Sequence, residues 1–417
     1  VRHRILTARR LTRGVPAVAL TLALAGCTAA PPETPAAPTA SSTTTVEALA
    51  YSQQLGDSLR PIVDRVMEAM MVPGIVVSVT TPEGRWQQAF GTRTIGADDP
   101  VSIDDHFRVG SITKTMVATV ALQLVNESKL SLSDQVSDHL SDVWGADGVT
   151  VEQLLTMRSG LFSYTERTDF NRILDENPAR VWTFSELAAL GTSVPPYFSP
   201  GSDVRYSNTN TVLLAMIIED VTGNSLETEL RNRIFEPLGL RETSYPVQGD
   251  SALPPPSPHG YLYGTNSSAN ISAALEWDQV RAAREGTLLP TDVTNLDPSW
   301  IGAAGAVIST ASDLETFAGA LAGGTLLDST ELHERQLDIP RTSGASMPVL
   351  GTYGLGLMVF GPMYGHDGAI PGFQSFMGHD PDTGITVVVL CTLRDGPAGG
   401  RPANEIAAGI VRALYQD

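Results

Sequence analysis

The chain has 417 residues, 27 basic against 46 acidic, a formal net charge of −19 and 42% hydrophobic residues. So acidic a chain excludes binding to nucleic acid, or to anionic lipid, by charge alone. Its two cysteines exclude a disulfide scaffold, and no apolar run reaches the roughly 20 residues that a membrane-spanning helix needs.

The first 26 residues open with Arg2, Arg4, Arg9, Arg10 and Arg13 and continue into an apolar stretch from Val15 to Ala25. About 11 apolar residues behind a basic start predict a secretory signal, not a span. The tetrapeptide Leu24-Ala25-Gly26-Cys27 that follows resembles a bacterial lipobox. That resemblance implies cleavage before Cys27, lipid attachment to its sulfur and a protein exported and anchored on the outer face of the bacterial cell membrane. Removing the signal leaves 22 basic against 46 acidic residues, a charge near −24, so anchoring would rest on the acyl chains at Cys27. With Cys27 modified, Cys391 has no partner; its apolar setting, Ile385 to Cys391, predicts a small core residue. Residues 27–46 carry mostly Pro, Ala, Ser and Thr and read as a tether.

From about residue 47 onward the patterns are those of one large folded domain. Leu55, Leu59, Ile62, Val63, Val66 and Met70 keep helical spacing over about 54–71, and Pro73-Gly74 ends the helix. Strand-like runs Ile75 to Thr80 and Arg85 to Phe90 flank Thr81-Pro82-Glu83-Gly84, which has hairpin turn chemistry. At the other end, Tyr353 to Phe360, Phe373 to His379 and Ile385 to Leu393 read as strands and Asn404 to Tyr415 as a helix. The stretch between, about 111–300, is dominated by helical periodicity. Strands at both ends with helices between them predict an α+β fold. One antiparallel sheet is built from both chain ends (about 47–110 and 301–417) and flanked by helices, with a mainly helical domain inserted.

Three stretches carry candidate chemistry. In Ser111-Ile-Thr-Lys114, at the entry to an apolar helix, positions i and i+3 share one face, so an amine can reach a hydroxyl beside the positive end of the helix. Of the 27 basic residues only Lys114 and Lys129 are lysines. Arginine stays protonated in any protein environment, whereas a desolvated lysine can serve as a base. Tyr206-Ser-Asn208 sits on a loop or helix entry. A phenol whose pKa is lowered by a neighbouring cation could relay a proton, and an Asn could hold a substrate amide; alternatively, Asn208 simply caps the next helix. His366-Asp-Gly-Ala369 lies between strand patterns, where Gly368 lets backbone approach a ligand. There the N–H of Ala369, together with that of Ser111, could hold an oxyanion.

Read together and in order, Ser-x-x-Lys at 111–114, Tyr-x-Asn at 206–208 and His-x-Gly at 366–368 resemble the three active-site motifs of the penicillin-recognising serine hydrolases. The branch is that of class C β-lactamases, D-alanyl-D-alanine carboxypeptidases and β-lactamase-fold esterases. Phe107 to Lys114, Gln153 to Leu161, Phe235 to Leu240 and Ala304 to Leu314 are similar to that branch as well. The resemblance implies a β-lactamase/transpeptidase-like fold and acyl transfer through an ester on Ser111. Lys114 and Tyr206 would share the proton work. Asn208, His366, Asp367 and Gly368 would face the substrate, and backbone N–H groups of Ser111 and Ala369 would form the oxyanion hole. It implies no cofactor and no metal, and the seven histidines have no ligand-like spacing. Expected partners are a small ester, an amide or a D-amino-acid peptide, peptidoglycan-derived peptides included. A binding protein for cell-wall peptide without turnover is the alternative, and a structural lipoprotein a third.

The sequence departs from the family pattern at Asp367, where relatives carry Thr or Ser. A carboxylate there should repel a substrate carboxylate: two like charges at ~4 Å and an effective dielectric of ~20 cost about 4 kcal/mol. The expectation is poor recognition of β-lactams and D-Ala-D-Ala termini, unless a protonated His366 pairs with Asp367 or the carboxylate turns away.

Overall fold

Alternating apolar residues build the central sheet. In β1 (Gly74–Thr81), Ile75, Val77 and Val79 point to one face and Val76 to the other, and all four are buried. The computed structural model, which describes residues 42–270, 274–339 and 352–416, pairs β1 on one side with β2 (Gly84–Gly91) through the expected hairpin. On its other side β1 pairs with β11 (Ile385–Cys391), Ile75 lying opposite Cys391. Two short pairs lie outside this sheet: β3 (Phe107–Arg108) with β6 (Ile308–Ser309), and β4 (Tyr261–Leu262) with β5 (Thr291–Asp292). The sheet itself is completed by β7 (Thr352–Tyr353), β8 (Met358–Phe360), β9 (Met363–Ile370) and β10 (Phe373–Asp380). Its order is β2-β1-β11-β10-β9-β8-β7, every neighbour antiparallel.

Each face of the sheet has its own core. On one, Ile75, Val77, Val79, Phe376, Val387 and Val389 pack with Leu59 and Val63 of the helix Ser42–Met70 and Ile406 and Ile410 of the helix Pro402–Tyr415. On the other, Val76, Met377, Val388 and Leu390 pack with Leu314, Phe317 and Leu321 of the helix Ala311–Ala322. This second core continues into the inserted helices. At its centre is the helix Thr113–Asn126, buried on all sides from Thr113 to Leu122, against the helices Asn208–Thr222 and Leu226–Leu230. A helix apolar around its whole circumference can only be a core helix. Cys391 is a free, fully buried thiol of the first core, as its surroundings predict.

Three expectations need correction or fall elsewhere. The first helix begins at Ser42, so the last residues assigned to the tether are helical. The single strand expected over Tyr353 to Phe360 is two short ones, β7 and β8. His366 to Ala369, expected between strands, lies inside β9. Two glycines, a His and an Asp give that segment little strand propensity. It is extended because Phe373 to His379 of β10 pairs with it from Ile370 back to Tyr364. The signal 1–26 and Cys27 lie outside the described residues.

Phe376 is fully buried and meets Phe360 edge to face at 5.2 Å. Truncation to alanine leaves a cavity that so packed a sheet face cannot collapse around. Phe376→Ala is therefore expected to lower unfolding free energy by about 3–5 kcal/mol, read as a shift of the urea midpoint at unchanged slope.

Candidate active site

Two backbone segments are brought together first. Gly110, at φ +55°, turns the chain out of β3 into a single 3-10 turn, Gly110–Ile112, which leads directly into the buried helix at Thr113. β8 pairs with β9 only over Met363, Tyr364 and Gly365, so among the described residues no strand pairs with β9 on that side from His366 onward. Gly110 and Ser111 lie against this part of β9. A Cβ on Gly110 would fall 3.1 Å from the Ala369 nitrogen, and one on Gly368 would strike the Val109 carbonyl and lie 3.0 Å from the Ser111 nitrogen. Gly368 is therefore required by close approach. Ser375 on β10 donates its hydroxyl to the Val109 carbonyl at 2.7 Å and ties the two segments. The nitrogens of Ser111 and Ala369 thus come to one place, as the motifs predict.

Ser111 is half-buried, and the Lys114 Nζ lies 2.9 Å from its Oγ. Lys114 is only 2% exposed and donates to the Ala304 carbonyl at 2.6 Å. Burial drives its pKa well below the ordinary lysine value, with the charge of Asp367 opposing. An amine with its proton removed keeps two N–H donors and gains a lone pair. One donor serves Ala304, and the lone pair can accept from the Ser111 hydroxyl.

Tyr206 stands at the other side of Ser111, its ring centroid 5.0 Å from the Lys114 Nζ and its hydroxyl hydrogen-bonded to Ser111. Although the residue is 36% exposed overall, desolvation of the hydroxyl raises the phenol above its ordinary value, its bond with Ser111 acting in the opposite sense. The expected lowering of the phenol's pKa by a neighbouring cation is thus reversed: desolvation outweighs the opposing charge of Arg401. Asn208 is the first residue of its helix, with Ser207 as the cap, so it does not cap it. Its N–H donates to Ser163 Oγ at 3.1 Å and its Nδ2 to Thr165 Oγ1 at 2.9 Å. The Oδ1 is buried and, among the described residues, has no partner.

The expected conflict at Asp367 is resolved by residues the motifs do not contain. Asp367 Oδ2 accepts from Arg401 Nη1 and from Asn404 Nδ2, both at 2.9 Å. Arg401 caps, and Asn404 stands in the first turn of, the last helix. His366 is not the cation: it is 1% exposed, and burial pushes its pKa down to about 4. Its Nδ1–H donates to the Asp367 backbone carbonyl at 2.5 Å, which leaves Nε2 to accept from the Tyr353 hydroxyl at 3.3 Å. A substrate therefore meets an Arg401–Asp367 pair, not a bare carboxylate, and the repulsion argument loses its basis. Tyr353, Ala304, Arg401 and Asn404 are the site residues that the sequence motifs missed. The Arg-x-x-Asn spacing that puts 401 and 404 on one turn is their only local signal.

Ser111, Tyr206, Asn208, Tyr353, Asp367 and Arg401 line a cleft of about 570 Å³ that also takes in Glu166, Trp300 and Arg394. Among the described residues no cluster of three or more His, Cys, Asp or Glu is placed to hold a metal. The arrangement can transfer a proton from Ser111 to Lys114 and present two backbone N–H groups to a carbonyl oxygen above Ser111.

The chain is similar to a D-stereospecific amidohydrolase from Streptomyces sp., 34% identical, with 83% of this chain and 97% of that one covered and a TM-score of 0.68. It is also similar to the D-amino acid amidase of Ochrobactrum anthropi SV3, 26% identical over 87% and 97% of the two chains, TM-score 0.70. Penicillin-binding protein 4 of Amycolatopsis lactamdurans is 26% identical over 336 residues, 76% of this chain and 80% of that protein. The family model described as Beta-lactamase matches residues 59–411. With the sheet made from both chain ends, the helical insertion and the three motifs meeting at one cleft, the chain belongs to the beta-lactamase family of serine hydrolases.

Proposed function

We propose that the protein hydrolyses amides of D-amino acids and short D-peptides through an acyl ester on Ser111. The observation that carries this reading is the buried Lys114 amine, its pKa lowered by desolvation, at 2.9 Å from the Ser111 hydroxyl. As Ser111 Oγ bonds to the substrate carbonyl carbon, its proton passes to Lys114 Nζ. The carbonyl electrons move onto oxygen, which the N–H groups of Ser111 and Ala369 receive. Collapse of this intermediate breaks the C–N bond. Tyr206 gives its phenolic proton to the departing amine and regains one from the Lys114 ammonium, so no phenolate accumulates. A water molecule then repeats the sequence in reverse order of proton transfers and frees Ser111.

Asn208 would accept a substrate N–H at its unpartnered Oδ1, a contact for amides that a simple ester lacks. His366 and Tyr353 hold the strand end beside Ala369, and the Arg401–Asp367 pair accepts substrates with or without a carboxylate. The relatives named for D-stereospecific amidohydrolase and D-amino acid amidase activity support the choice of substrate. Peptidoglycan-derived peptides, which carry D-residues, belong to the same class. Nothing favours the reading of a binding protein without turnover, because Ser111, Lys114 and Tyr206 are in contact. We further propose that the chain is exported and anchored through lipid on Cys27; metabolic labelling with palmitate, expected in the natural sequence and absent from Cys27→Ala, tests it.

The substrate reading is checked by incubating the soluble domain with D-phenylalanine amide, L-phenylalanine amide, p-nitrophenyl acetate and benzylpenicillin. Turnover of the D-amide well above the L-amide is expected, and intact-mass spectra should show an adduct in the natural sequence that Ser111→Ala lacks. Equal rates with the two enantiomers would overturn the D-specific reading.

Lys114 gives a paired expectation. Since its folded pKa lies below the unfolded value of about 10.4, the unfolded chain binds the extra proton, and burial of Lys114 destabilises the fold at neutral pH. Stability from this group rises as pH climbs from the folded pKa toward about 10.4. Lys114→Met should thus raise the thermal midpoint while lowering acylation by roughly 10²–10⁴-fold. In the natural sequence, acylation by a fluorophosphonate should fall as pH drops through the depressed pKa of Lys114, at a lower pH than an ordinary lysine would set.

Arg401→Ala leaves the buried Asp367 carboxylate without its cation, which restores the repulsion. Acylation by benzylpenicillin should then fall by roughly tenfold more than acylation by neutral amides, read from the ratio of second-order rate constants.

A further inference from the structure

A second cavity, about 550 Å³, opens in the inserted helical region and shares no lining residue with the catalytic cleft. Its walls bring together three aromatic rings, Trp182, Phe184 and Tyr245, the thioether of Met216 and two carboxylates, Glu219 and Glu227. No Lys or Arg lines it, but the Arg180 guanidinium stacks on the Trp182 ring, 3.7 Å from its centroid, so one face of that ring is already occupied. Glu227 is already paired with Arg231 at 2.6 Å. Glu219 is not: its Oε1 accepts the Leu226 N–H at 2.9 Å, and among the described residues it has no ion-pair partner. Partial burial raises the Glu219 carboxyl above its ordinary value, the mark of a carboxylate that lacks a neighbouring cation. Tyr245 lies close enough for Glu219 to act electrostatically on its phenol. The exposed lining residues are Val247 and the polar Thr183, Ser185, Ser225 and Gln248, so the cavity meets solvent at a mostly polar rim.

Aromatic faces attract cations through their quadrupole, and a carboxylate among them adds direct charge. Neither feature favours an anion, and a purely apolar guest would leave Glu219 desolvated and unpaired. We infer that this cavity binds an organic cation with an apolar body, its ammonium set against Glu219 and its hydrocarbon among the rings. The site is independent of turnover at Ser111. One of its walls comes from Pro298, Gly302 and Ala306, the segment whose other residues supply Trp300 to the cleft and the Ala304 carbonyl to Lys114.

The test is calorimetric titration of the full chain with 2-phenylethylammonium and benzyltrimethylammonium, against neutral 2-phenylethanol. Saturable binding of both cations is expected, with the alcohol at least about tenfold weaker, the worth of one charge-assisted contact. Glu219→Gln keeps an acceptor for the Leu226 N–H but not the charge, and should weaken both cations by about tenfold. Ser185→Trp, at an exposed position on the rim, should abolish binding while the circular dichroism and thermal midpoint stay unchanged. Equal affinity for the alcohol, unchanged affinity in Glu219→Gln, or binding that survives Ser185→Trp would each overturn the inference.

Discussion

The buried side chain of Lys114 organises this molecule. Its amine lies in the second core, 2% exposed, at the start of a helix that the inserted region surrounds on all sides. Charging it there would cost several kcal/mol that no adjacent carboxylate repays, since the nearest, Asp367, is engaged by Arg401 and Asn404. The packing favours the neutral amine, which puts a base 2.9 Å from an ordinary serine hydroxyl. The phenol of Tyr206 and the imidazole of His366 follow the same rule: both are desolvated and both are held uncharged. Around Ser111 the site is built largely from desolvated side chains, with the Arg401–Asp367 pair beside them and the Arg205–Glu166 pair also on the cleft wall.

That ion pair changes how selectivity is read. A charge judged by its type alone is a poor guide, because Coulomb energies of about 4 kcal/mol at ~4 Å are offset by an opposite charge at equal range. Asp367 in the middle of the third motif looks hostile to a carboxylate until Arg401 is placed beside it. The strand presents Asp367 to the last helix, and the helix answers with a guanidinium and an amide from its first turn.

Much of the site was legible because its parts are local. Ser111 and Lys114 sit one helical turn apart, so their contact follows from spacing, and the hairpin of β1 and β2 follows from alternation around a turn. The antiparallel sheet drawn from both ends could be foreseen from apolar strands at either extreme of the chain. What stayed hidden is what only tertiary structure decides. β9 lacks strand propensity and is extended through its pairing with β10. The Ala304 carbonyl meets Lys114 across 190 residues of sequence, and Arg401 meets Asp367 across 34. Tyr206 keeps its proton because of desolvation, a property of surroundings that no tripeptide motif records. Asn208 was legible as a motif position, but its helix is capped by Ser207 instead.

The sheet drawn from both chain ends has a consequence in time. Ser111 and Lys114 emerge from the ribosome in the first third of the chain, whereas the strand that must face them, β9, and the strand that ties it to β1, β11, come near the end. At roughly 5–20 residues per second the nucleophile waits on the order of tens of seconds for its counterpart. Throughout that interval Ser111 lacks the Ala369 N–H that the folded chain sets against the Gly110–Ser111 turn. A chain cut short before β9 therefore carries the whole first motif and none of its chemistry, so the hydrolase is silent until its last strands are in place.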